Sequence, residues 1–236
     1  MGLDVYVGSL TRYYAHDWLT IVQQIGLRTG TPVYTVRPNA QPEAIKDPAK
    51  IAATILQWMH GLSAGLGANI PDALAWNETA EAPYFTDKPN WDCYTSLLLW
   101  AAYSEHPQLA RPSEPAASLT DDPAYQLSIS STFQTKYPSL LHGTEIWIPM
   151  DARLVFAAAD PAGKTKRFSS VLALRDELTA LNEGTWKADA ATTAGWRSDH
   201  FDHGARMETR ARFAFSIFYT LVQAASDNRL VMLLDY

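Results

Sequence analysis

The sequence predicts an α+β fold: a mixed, largely antiparallel sheet packed against several helices, in a single domain over residues 1–236. Three observations carry this expectation. The first residues alternate apolar and polar, two short β-like runs lie close together mid-chain as a hairpin would, and helical periodicity fills the intervals without strict strand–helix alternation.

Leu3, Val5 and Val7 alternate with Asp4 and Tyr6 ahead of Gly8 and Ser9, which reads as an opening strand. Trp18, Ile21, Val22 and Ile25 recur at helical spacing, with His16 or Asp17 as the starting cap and Gly26 or Gly30 as the stop. Pro38, Pro42 and Pro48 make residues 34–48 a connection. A second helix is expected over residues 48–60, with Ile51, Ile55, Trp58 and Met59 turned inward. Residues 61–90 hold Gly61, Gly65, Gly67, Pro71, Pro83 and Pro89 and read as one long irregular segment, a kind of loop that often carries function. Asn90 or Asp92 can cap a third helix running through about Glu105, apolar on more than one face and therefore deep in the core.

Residues 107–123 form a proline-rich linker, and residues 124–141 favour helix over strand. Ile146, Trp147 and Ile148, followed by Leu154, Val155 and Phe156, look like two strands of an antiparallel pair joined near Met150 and Asp151. Ser169 or Ser170 caps a helix whose stripe is Val171, Leu174, Leu178 and Leu181. After a small-residue loop at 188–195 comes a long helix bearing Met207, Ala211, Ala214, Phe218, Leu221 and Ala225 on one side. Asp227 and Asn228 turn it into a closing apolar strand.

Composition narrows the function classes. With 236 residues and 47% hydrophobic content, folding buries about 70% of the chain's surface, ample for a core without staples. Cys93 is the only cysteine, which excludes an intramolecular disulfide and a cysteine-rich zinc site. The first residues lack a basic leader and no apolar run reaches spanning length, so a cytoplasmic protein without a membrane is expected. A net charge of −6 argues against nucleic acid as the principal partner. The acidity is local. Asp72, Glu78, Glu81, Asp87 and Asp92 face only Lys88, among Trp76, Tyr84 and Trp91.

Two motifs invite catalytic readings. Residues 158–165 follow the relaxed phosphate-loop spacing and end in Gly163, Lys164 and Thr165, while Asp235 closes the last strand. In a nucleotide hydrolase Lys164 would hold phosphates, Thr165 would ligate magnesium and Asp235 would stand behind it. Yet Ala158 stands where glycine belongs, and Asp160-Pro161 brings an acid and removes an N–H, so a polar turn is the stronger reading. His200, Asp202 and His203 could ligate a metal. Their spacing on a helix also suits capping and ion pairing, and no third histidine or cysteine lies nearby. Cys93 lacks an adjacent histidine, and no Gly-x-Ser-x-Gly elbow occurs. No cofactor is expected.

The opening residues Met1 to Gly8, the run Ile146-Trp147-Ile148-Pro149 and the closing residues Arg229 to Tyr236 resemble those of uncharacterised bacterial cytoplasmic proteins, some of them similar to toxin-neutralising immunity proteins. The resemblance covers about thirty residues and implies occlusion of a basic toxin or effector; it carries no catalytic motif. With the acidity, it makes a non-catalytic binding protein with a basic protein partner the expected function. Trp76, Glu78, Glu81, Tyr84, Asp87, Trp91 and Asp92 would form its surface, aromatic burial supplying affinity and charge supplying encounter rate. The alternatives are a nucleotide hydrolase at residues 158–165 and a metal enzyme at His200 and His203.

Overall fold

A computed structural model describes residues 2–33, 47–114, 118–198 and 205–236. The chain opens with β1 (Asp4–Gly8). The Ser9 side chain then accepts the Arg12 N–H and starts α1 (Leu10–Ala15), which His16 ends in a left-handed conformation. The sequence put His16 at a helix start. A helix of six residues has no periodicity to read, so only its Ser9 cap announces it. Thr20 and Gln23 form a capping box at α2 (Ile21–Arg28). Most of the expected connection, residues 34–46, lies outside the described residues.

Asp47 caps α3 (Pro48–Leu66), which runs past His60 and through Gly61 and Gly65; Gly67, at φ 50°, breaks it. Two exposed glycines inside a long helix cost less than its packing returns, so the irregular segment is shorter than expected. That segment also contains β2 (Phe85–Asp87). Asn90 caps α4 (Trp91–Glu105), buried on nearly every side as its apolar run requires. The described part of residues 107–123 divides nothing: the Ser113 carbonyl accepts the Met207 N–H, and Tyr103 donates to Asp122. Next come α5 (Pro123–Ser128), α6 (Pro138–Leu141), β3 (Ile146–Ile148), β4 (Phe156–Ala159), β5 (Thr165–Ser170) and α7 (Val171–Gly184). The expected small-residue loop holds α8 (Ala190–Gly195), capped by Asp189. The chain closes with α9 (Met207–Asn228) and β6 (Val231–Asp235).

The fold is α+β, as the sequence predicts. One six-stranded sheet runs β2-β1-β6-β3-β5-β4, antiparallel except between β3 and β5. The expected hairpin of β3 with β4 does not form. Residues 149–155 carry the chain past β5, so β4 pairs with β5 from the outer side while β3 pairs with β5 in parallel from the inner side.

Alternation along the inner strands sorts two cores. Val5, Val7, Trp147, Met232 and Leu234 pack with α4, α7 and α9, where Tyr94 stacks on Phe218 at 5.1 Å. Tyr6, Ile146, Ile148, Phe168, Val231 and Leu233 pack with Leu10 of α1 and with Ile55 and Met59 of α3. Helices therefore cover both faces of the sheet. Among the described residues no helix is long and apolar enough to cross a membrane.

Glu177 of α7 is buried, and its two oxygens accept the N–H groups of Ser139 and Leu140 at 2.9 and 3.0 Å. Burial pushes its carboxyl up to about 7, against the opposing pull of those N–H groups. The folded state therefore keeps this proton at pH values where the unfolded chain has released it. Unfolding free energy is expected to fall by on the order of 3 kcal/mol as pH rises from about 4.5 to about 7. That part of the slope is absent in Glu177→Gln, and urea denaturation across this range checks it.

Candidate functional site

The acidic and aromatic segment connects α3 to α4 along the β2 edge of the sheet, and its side chains divide sharply. Trp76 is 8% exposed, and its indole N–H donates to Glu78 Oε1 at 2.6 Å. Glu78 also accepts the N–H groups of Leu10 and Thr11 at 2.9 and 2.8 Å, so it closes the first turn of α1. Asp87 is 7% exposed, accepts the Lys88 N–H and pairs with Arg197. Burial raises its carboxyl above the usual range, with Arg197 opposing. Trp76 and Asp87 are corrected from surface to buried structural residues, and half-buried Glu78 has its oxygens committed to the same framework. A ring beside an acid in sequence looks like a docking patch, but here the acids satisfy backbone and indole N–H groups that burial would otherwise strand.

Tyr84 is half-buried, stacked on Tyr6 at 6.3 Å and covered by the Arg12 guanidinium at 5.1 Å. Arg12 also donates to the carbonyls of Ala80 and Ala82, which holds the turn bearing Glu81 against α1. Glu81, Trp91 and Asp92 remain exposed. The register Val7↔Phe85 and Val5↔Asp87 sets Glu81 beyond one end of β2 and Trp91 with Asp92 beyond the other. These exposed residues form a strip along an edge strand, with Phe85, 36% exposed, between its acidic ends.

The sequence missed one further member of the strip. Tyr236, 54% exposed, follows β6, and its ring meets Trp91 edge-on at 5.0 Å with centroids 74° apart in plane. Its hydroxyl donates to Glu145 Oε1 at 2.6 Å, and Lys166 lies 5.4 Å over its ring while pairing with Glu145. Four separate parts of the chain meet at this corner, so no local pattern could reveal it.

The phosphate-loop alternative gains no site. Residues 158–165 are the turn of the β4–β5 hairpin and lead into a strand, where a phosphate loop needs the start of a helix. Asp160 fills the would-be cradle: Oδ1 accepts the N–H groups of Ala162 and Lys164 at 2.9 and 2.8 Å, and Oδ2 accepts the Tyr14 hydroxyl at 3.2 Å. Gly163 supplies the positive φ of 80° that closes the turn, and Lys164 and Thr165 are exposed. Asp235 instead accepts the Tyr13 hydroxyl at 2.6 Å. His200, Asp202 and His203 lie outside the described residues, among which no cluster of three His, Cys, Asp or Glu could hold a metal. Burial raises the Cys93 thiol to about 11, far from a reactive thiolate.

Comparison with protein-family models, curated proteins and solved structures returns no match.

The hairpin assignment makes a contrast that a phosphate loop reverses. Asp160→Ala is expected to lower stability by about 2–3 kcal/mol, because two backbone N–H groups and a hydroxyl lose their acceptor. Lys164→Ala changes it by under about 0.5 kcal/mol. Thermal and urea unfolding measure both.

Proposed function

We propose that the protein is a non-catalytic binding protein of the toxin-neutralising kind, acting in the cytoplasm, and that a basic protein partner docks along the β2 edge. One observation carries the reading: the exposed ring pair of Trp91 and Tyr236, with the Asp92 carboxylate beside it at the first turn of α4. Aromatic anchors at the rim of a rigid element give a partner large contact area at little cost in side-chain freedom. Glu81 and Asp92, at the two ends of the strip, supply the charge that speeds encounter with a basic surface. The net charge of −6 acts in the same direction.

The platform supports this use. Trp91 and Asp92 belong to the first turn of a helix whose following residues are almost all buried, and Tyr236 is held by its bond to Glu145. Neither anchor depends on a free loop, so binding orders little chain.

Partner capture from the source cells, followed by binding kinetics, tests the proposal. Trp91→Ala is expected to weaken binding by about thirtyfold, the effect of losing an aromatic hot spot. Glu81→Lys with Asp92→Lys lowers the association rate and flattens its dependence on salt. Undiminished binding of a basic partner by the variant combining Trp91→Ala, Glu81→Lys and Asp92→Lys overturns the assignment.

A further inference from the structure

On the face of the sheet covered by α4, α7 and α9, a cleft of about 670 Å³ opens between the C-terminal half of α4, the end of α7 and the first turns of α9. Trp100, Tyr103, Arg111, Trp186, Glu208 and Arg212 form its walls. Its size falls within the range of small-molecule sites. Its ring faces are already engaged. The Arg111 guanidinium lies over Trp100, 3.7 Å from the ring centroid, and Trp186 stacks on Trp100 at 5.2 Å and 11°. Trp186 in turn meets Trp196 and Phe215 edge-on, and Arg212 lies 5.3 Å over Trp196. Recognition by stacking a flat ligand would have to displace these contacts.

Three of the donors on these same walls are not engaged. Among the described residues, Trp100 Nε1, Trp186 Nε1 and Arg212 Nε are buried without a hydrogen-bond acceptor, and Trp100 is only 6% exposed. Buried donors without acceptors are rare, and these three belong to side chains that line one cleft. The charge there is positive in an acidic chain. Arg111 and Arg212 bring two positive charges and Glu208, bound to Arg212 one helical turn away, returns one. Burial lowers the Arg111 guanidinium from its ordinary value, with Glu208 and Tyr103 opposing, so this cation is already partly stripped of water. The Tyr103 hydroxyl is committed to Asp122 at 3.1 Å.

We propose that this cleft binds a small molecule through an oxyanion group, a carboxylate or a phosphate. Its oxygens accept from the indole N–H groups and Arg212 Nε, and the two guanidiniums balance its charge. The three donors are covered in the free protein, so binding includes side-chain movement in the cleft wall, with the Arg111 guanidinium leaving the Trp100 ring for the anion. No bond is made or broken.

Indole N–H resonances, assigned with Trp100→Phe and Trp186→Phe, report the binding while acetate, inorganic phosphate and chloride are titrated at constant ionic strength. The expected result is a saturable shift of the Trp100 and Trp186 signals with acetate or phosphate and none with chloride. The anion that saturates at lower concentration identifies the group. Arg111→Gln weakens that response by about tenfold or more, and Arg111→Lys, which keeps the charge and loses the fork, weakens it less. Unchanged signals of the other tryptophans show that each variant is folded. A shift of equal size with chloride, no saturable shift with either oxyanion, or an undiminished response in both Arg111 variants overturns the proposal.

Discussion

The central position of β6 is the constraint from which the rest of the architecture follows. This strand pairs with β1 on one side and β3 on the other, and Val231, Met232, Leu233 and Leu234 are apolar on both of its faces. A strand of that kind is stable only if both sides of the sheet are covered, which assigns α1 and α3 to one face and α4, α7 and α9 to the other. One of the helices packed against the sheet, α9, is also the one that delivers the strand. Arg229 alone separates α9 from Leu230, in a left-handed conformation that costs a non-glycine residue about 1 kcal/mol. Its N–H bonds to Ser226 and Ala225 and its guanidinium bond to the Ala75 carbonyl hold it there.

The acidity of the chain has a second origin besides surface charge. Asp47, Asp122 and Asp189 cap α3, α5 and α8; Glu78 closes the first turn of α1; Glu177 serves α6; and Asp160 closes the β4–β5 hairpin. Glu105 likewise accepts the Lys136 N–H and the Thr135 hydroxyl, joining the end of α4 to the segment before α6. Short helices expose many N–H groups per residue, and a fold built with several of them needs many acceptors. The negative charge is thus in good part a consequence of the architecture, and only the acids left without such duties, Glu81 and Asp92 among them, bear on a partner.

This division explains what could be read from the sequence and what could not. The long periodic elements were legible: the stripe Val171, Leu174, Leu178 and Leu181, the apolar run of α4 and the caps Asn90 and Ser170 all stand where the pattern puts them. The short elements α1, β2 and α8 were not, because a six-residue helix makes fewer than two turns and a three-residue strand shows no alternation. Strand order was also hidden, since the placing of β4 outside β5 depends on where residues 149–155 lead rather than on their hydrophobicity. At the site the error had one cause. Trp76, Glu78 and Asp87 share the composition of an interface, but their roles are set by Leu10, Thr11 and Arg197, which are distant in sequence.

α4 links the two candidate surfaces and separates their charge. Trp91 and Asp92 stand at its N-terminus; Trp100, with Arg111 over it, stands about 14 Å further along its axis. A carboxylate at the start of a helix and a guanidinium near its end are both favoured by the helix dipole, so the charge at each surface is partly explained by the stability of α4 itself. The dipole does not explain the exposure of Trp91 beside Tyr236, nor does it require Trp100 and Trp186 to bury N–H groups without acceptors. Those features cost stability in the free protein, in exposed apolar area at one end and stranded donors at the other. A bound partner would relieve each cost, and the physical case for binding rests on them rather than on charge.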